Sequence, residues 1–141
     1  MEKDMNCMYC SENEKLDSLM IYISDLGVSK LYLFKEQTYY GRCVLAYKGH
    51  VKEFYELSDD ESASFTKDIC TAAKAIAKAV NPEKMNYGMY SDKLPHLHCH
   101  LVPKQVDGYS FGGTFDMNVE PPKYLSDVEY AEIIEKIKNN L

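Results

Sequence analysis

The chain contains one arginine, Arg42, and no tryptophan. Sixteen lysines and arginines stand against 22 acidic residues, for a formal net charge of -6. Such a chain is poorly equipped to grip long nucleic acid, whose phosphates are held mainly by Lys and Arg. A single small phosphate ester needs only a few local donors. The missing tryptophan removes one common base-stacking group. No apolar run approaches the roughly 20 residues that cross a bilayer, so no membrane partner is expected. The opening residues MEKDMNCMYC hold no apolar signal-peptide core. Cysteine is sparse and odd in number, with five in all, which suits a reducing compartment; a cytoplasmic location is expected. Repeats, low-complexity tracts and linkers are absent. The 141 residues are enough for one domain with a real core and too few for two, so 1–141 is read as a single domain.

What is present is an alternation of short apolar runs. Residues 19–24 (LMIYIS) and 31–34 (LYLF), separated by a turn at Gly27, read as a hairpin. Residues 42–47, 85–90 and 96–102 add three further strands, the last ending at Pro103. A helix is predicted from about Ser58 to Val80. Ser58 with Glu61 forms a capping-box pattern, Phe65, Ile69, Ala72, Ala73, Ile76 and Val80 keep helical spacing, and Asn81-Pro82 stops it. A second box, Ser126 with Glu129, opens a C-terminal helix over 126–141 with a stripe of Val128, Ala131, Ile134, Ile137 and Leu141. Residues 104–125, rich in glycine and proline, read as a long loop, and 1–15 as a polar tail. Cys43, Cys70 and Cys99 lie in apolar segments and read as small core residues. The expected class is α+β: an antiparallel sheet of about five strands, one main helix and a C-terminal helix.

Three of the four histidines lie in five residues, His96-Leu97-His98-Cys99-His100. On a strand their imidazoles share one face. Packing three imidazoles together in a core costs desolvation without obvious partners, so chemistry is the better account. Neutral imidazole is a nucleophile, proton carrier and metal ligand near pH 7. Cys7-x-x-Cys10 has the spacing of a metal chelate or of a redox pair. Two thiolates with His50 and His96 complete a tetrahedral zinc set, closed and therefore structural. It would clamp the N-terminal knuckle onto the sheet and leave His98 and His100 for chemistry. The competing metal reading puts an open-site ion on His98, His100 and His50.

The run His96-Leu-His98-Cys-His100-Leu-Val resembles the signature of the histidine triad (HIT) family, in which three histidines alternate with apolar residues. Gly41-Arg-Cys-Val-Leu-Ala-Tyr-Lys-Gly-His50-Val is similar to the family's strand ending in a basic residue and a histidine. Pro103-Lys104 stands where Pro-Arg usually follows the triad. Cys7-x-x-Cys10 resembles the knuckle of the zinc-containing bacterial-type branch. In order and spacing the resemblance spans nearly the whole chain. It implies a HIT-like fold and a homodimer. It implies a hydrolase or nucleotidyl transferase that cleaves at the α-phosphate of nucleoside phosphoramidates, acyl-nucleotides or dinucleoside polyphosphates, with a purine nucleotide as the expected ligand. His98 takes the place of the nucleophile that forms a nucleotidyl-histidine. His100 takes that of the phosphate and leaving-group partner. Cys7, Cys10, His50 and His96 take those of the structural zinc ligands.

Two departures bear on substrate. Tyr90-Ser-Asp92-Lys93-Leu-Pro95 replaces the Gly-Gln-Ser-type segment of many members, and Asp92 stands where one branch has Asn. A carboxylate there repels phosphate unless it is protonated or paired with Lys93. The acidic residue that commonly serves the ribose aligns near Phe34, and Glu36 is the nearby candidate for that role. These departures motivate the alternative of a nucleotide-binding module with little catalysis.

Overall fold

A computed structural model describes residues 1–141. The five strands are β1 (Met20–Asp25), β2 (Ser29–Phe34), β3 (Cys43–Tyr47), β4 (Lys84–Gly88) and β5 (His98–Lys104). They form one antiparallel sheet in the order β1-β2-β3-β5-β4. The helices are α1 (Met8–Ser11), α2 (Glu14–Leu19), α3 (Asp59–Val80) and α4 (Asp127–Asn139), with a 3₁₀ turn at Phe54–Glu56. No helix is long and apolar enough to cross a membrane. The α+β class and the antiparallel five-stranded sheet expected from the sequence are both present.

Both capping boxes form. Ser58 and Ser126 accept from the backbone N–H of Glu61 and Glu129, and each glutamate returns the bond to its cap. Asn81 closes α3 in a left-handed conformation, φ 49°. β3 is buried along its whole length because it separates two cores. Cys43, Leu45 and Tyr47 face the core under α3 and α4, with Phe65, Ile76, Ile133 and Ile137. Val44 and Ala46 face a second core with Met8, Tyr9, Leu16, Met20 and Tyr32. A sheet covered on both faces needs near-continuous apolar strands.

Several expectations are corrected. The N-terminal tail is helical in part: Met8, Tyr9, Cys10 and Leu16 are buried because they cover the second face of the sheet. The stripe on α4 is right in part. Ile137 is buried and Ile134 packs against the core as expected, but Tyr130 and Ile133 are buried beside them while Val128 is 67% exposed, because docking against α3 and the sheet chooses the face. Cys43 and Cys99 are buried, but Cys70 is exposed on α3. β5 begins at His98, not His96, and continues through Pro103 to Lys104. Pro103 is tolerated since β3 pairing ends at Cys43↔Leu101 and only β4 runs alongside it.

A contact with no local sequence signal holds the first hairpin. Asp68, buried on α3, accepts from Gly27 N (3.1 Å), from Val28 N (2.8 Å) and from the Ser29 hydroxyl. The turn's free N–H groups are satisfied from another element.

Candidate functional site

β5 supplies two adjacent same-face imidazoles, because its alternation sends Cys99 and Leu101 into the helix-side core. The rings of His98 and His100 lie 5.3 Å apart and both residues are 5% exposed. They line a cavity of about 580 Å³ with Phe34, Ser91, Asp92 and Lys93, a volume in the range of small-molecule sites. Burial lowers the pKa of His98, and burial followed by the charge of Arg42 takes His100 to about 3. Both imidazoles are therefore neutral near pH 7.

The tautomers follow from the bonding partners. Nδ1 of His98 lies 2.6 Å from the carbonyl oxygen of His96. A carbonyl only accepts, so Nδ1 carries the proton and Nε2 keeps its lone pair. Ser91, held at φ 63°, donates its hydroxyl to the same carbonyl at 3.2 Å. On His100 the order is reversed. Its Nδ1 lies 3.2 Å from Nη2 of Arg42, and guanidinium only donates, so His100 carries its proton on Nε2.

The four residues expected to hold metal come together. Ligand atoms of Cys7, Cys10, His50 and His96 all lie within 4.8 Å of one another. Cys7 Sγ is 3.4 Å and Cys10 Sγ 3.6 Å from His96 Nδ1, Cys10 Sγ is 3.6 Å from His50 Nδ1, and the two Nδ1 atoms are 3.3 Å apart. Zinc bond lengths in a tetrahedron imply N···N of about 3.3 Å and N···S of about 3.5 Å, so the donor set fits that ion in size and chemistry. His96 donates from Nε2 to the Tyr47 carbonyl at 2.6 Å, which presents Nδ1 as a free ligand atom. Tyr9, between the two cysteines in sequence, packs its ring 5.1 Å from those of both His96 and His98. His50 belongs to this cluster, so the open-site arrangement of His50 with His98 and His100 does not form.

The substrate candidates divide. Asp92 and Lys93 are exposed at the cavity that His98 and His100 line. Glu36 is not at the cavity. Its carboxylate accepts from the Thr38 hydroxyl (2.6 Å) and from Lys123 N (2.7 Å), tying the β2–β3 turn to the segment before α4. Ser91 and Tyr9 carry no site signal in the sequence, and Lys104 stands out there as the residue after Pro103. Lys104 is buried and donates to the carbonyls of Ser110 (2.9 Å) and Gly113 (2.5 Å), which pins the glycine-containing loop. A lysine inside an apolar strand was the available signal for it. Arg42 carried a similar signal as the single arginine leading into β3.

No family model matches the chain. Adenosine 5'-monophosphoramidase hnt1 of Schizosaccharomyces pombe is 28% identical over 142 residues, covering 95% of this chain and all of that protein. A histidine triad (HIT) protein of Sinorhizobium meliloti superposes with a TM-score of 0.83 at 22% identity, over 92% of this chain and 95% of its own. A Zn-bound histidine triad family protein of Mycobacterium smegmatis superposes with a TM-score of 0.67 at 17% identity, over 96% of this chain and 93% of its own.

Proposed function

We propose that the chain is a member of the histidine triad family, which its similarity to the Schizosaccharomyces pombe relative and the shared fold support, and that it is a nucleotide hydrolase or nucleotidyl transferase acting at an α-phosphate, with a nucleoside phosphoramidate as its first substrate class. The observation that carries this reading is the pair of opposite tautomers on neighbouring neutral histidines. Nε2 of His98 has a lone pair and His100 has an N–H. In the first step Nε2 of His98 attacks the α-phosphorus, a P–N bond forms, and the bond to the leaving group breaks with its electron pair. The proton on His100 Nε2 stabilises the phosphate oxygen and assists the leaving group. Water then attacks the nucleotidyl-histidine and gives up a proton to the released amine or to solvent, the P–N bond breaks with its electron pair returning to His98 Nε2, and nucleoside monophosphate leaves. Two displacements each have a lower barrier than one.

The name of the Schizosaccharomyces pombe relative favours an adenosine-containing substrate, and the apolar cavity wall suits a purine. Cys7, Cys10, His50 and His96 would hold a structural zinc, which supplies a clamp for α1 and no catalytic water. Exposed Tyr87 on edge strand β4 suits a homodimer contact, and a cytoplasmic setting goes with the free cysteines.

Incubation with adenosine 5'-phosphoramidate, followed by nucleotide analysis and intact-protein mass, tests the reading. AMP release together with a trapped adenylyl adduct is expected. His98→Ala should lower turnover by at least about 10⁴-fold, the scale on which nucleophile removal acts, with an unchanged fold. Full turnover by His98→Ala would overturn it. Asp92 at the cavity favours the binding-module reading, for which AMP binds tightly and no member of a substrate panel is turned over.

A further inference from the structure

Arg42 precedes β3 and is fully buried. It makes no ion pair. Nη1 donates to the carbonyls of Asp116 (3.4 Å) and Met117 (3.3 Å), Nη2 donates to His100 Nδ1 (3.2 Å) and to the Met117 sulfur (3.3 Å), and Nε has no partner. The guanidinium lies 4.1 Å from the centre of the Phe34 ring and 5.3 Å from that of Phe115. Burying a cation without a counter-ion is costly even with aromatic contacts, so stability does not account for this residue. It does not line the cavity, so it does not touch a ligand there. Its one bond to an ionisable side chain of the site is the bond to His100; its other side-chain contact there is with the Met117 sulfur.

We propose that Arg42 is a positioning residue that locks His100 as a neutral imidazole with its proton on Nε2, the form that donates to a phosphate oxygen. Three features serve that end. Guanidinium cannot accept a hydrogen bond, so its Nη2 excludes a proton from His100 Nδ1. It keeps its charge throughout the working pH range even though burial lowers its pKa to about 10. Its planar fork is anchored by two backbone carbonyls and two aromatic rings, so the donor direction is fixed. The groups facing His100 are Arg42, His98, Phe34 and Phe115; none is an acceptor that stabilises the opposite tautomer. The positive charge behind the ring also strengthens Nε2–H as a donor. An uncharged acceptor at position 42 would turn the ring's proton the other way.

The assignment rests on the proposed function for the role of His100, while the tautomer itself does not. It is therefore tested first by long-range ¹H–¹⁵N correlation spectra of histidine-labelled protein. The unaltered protein should show His100 with a protonated Nε2 and a bare Nδ1. Arg42→Met should move the Nδ1 and Nε2 shifts towards a tautomer mixture and lower kcat by about 100-fold, the scale for a lost charge-stabilising donor, with KM changed less. Arg42→Lys, which keeps charge and donor but loses the fork, should recover part of both signals, and it carries the test should Arg42→Met fail to fold. A folded variant of either kind with unchanged His100 shifts and unchanged kcat would overturn the proposal. If the protein turns over no nucleotide, the proposed function fails while the tautomer readout still decides the Arg42–His100 bond.

Discussion

His98 donates its Nδ1 proton to the backbone carbonyl of His96 at 2.6 Å. The residue that offers its ring to the thiol cluster thus orients the nucleophile candidate through its main chain. Tyr9, packed on both rings, is a second link between the two sites.

This coupling predicts the outcome of metal removal. Cys7→Ser, or chelation of the unaltered protein, should release bound zinc and lower Tm by on the order of 10 °C. Turnover should fall as well, because α1 and Tyr9 lose their anchor. Metal analysis alongside thermal unfolding checks this, and metal retained in a Cys7→Ser, Cys10→Ser double variant would place the ion elsewhere.

Asp92 is an exposed carboxylate at the cavity, and a negative charge there opposes the phosphate of the proposed substrate. Asp92→Asn should lower KM for a nucleotide substrate by about 2- to 5-fold at low salt, with the gain shrinking as ionic strength rises, since exposed charges are screened. Kinetics at two salt concentrations measure it. An increase in KM would instead show that Asp92 holds the substrate.

Asp68→Asn should destabilise the protein by about 1–3 kcal/mol, the cost of a buried bond left unmade. The amide that replaces one carboxylate oxygen would face the donors of Gly27, Val28 and Ser29. Denaturant unfolding gives the value. Activity of the folded fraction should be unchanged, since Asp68 lies on the helix side of the sheet.

His100 also sets a pH dependence. Its folded-state pKa is about 3, against roughly 6.5 in the unfolded chain. Between these values the unfolded state binds the extra proton, so stability rises with pH across the window. The contribution is fully present above about pH 6.5 and is lost progressively as pH falls towards 3. Unfolding midpoints from pH 8 down to 4 should show the decline beginning below pH 6.5, and His100→Gln should flatten part of it. A midpoint independent of pH over that range would contradict the buried neutral state.

Much of this architecture was legible in local signals. Ser58 with Glu61, Ser126 with Glu129, and Asn81-Pro82 marked helix ends because capping is settled within a few residues. The five strands appeared because β-branched and aromatic runs were bounded by turns. The α4 stripe is only partly legible because Val128 and Ala131 and the pair Tyr130 and Ile133 share one helix at similar spacing. Only docking decides which side is dry. The N-terminal tail looked polar because its core residues, Met8, Tyr9 and Leu16, are few and are buried by a sheet face that local pattern does not reveal.

By itself, the sequence determined the reaction-capable chemistry: three closely spaced histidines, two cysteines at chelating distance, and a spacing that puts His98 and His100 on one strand face. Period-two geometry makes that relation local. The tertiary structure alone decided protonation and orientation. Arg42 and His100 are 58 positions apart along the chain, Glu36 is bound to Lys123, and the His96 carbonyl turns onto His98 only because β5 starts two residues late. Proton placement depends on which donors and acceptors the fold brings within about 3 Å of a ring nitrogen, and those partners come from distant parts of the chain.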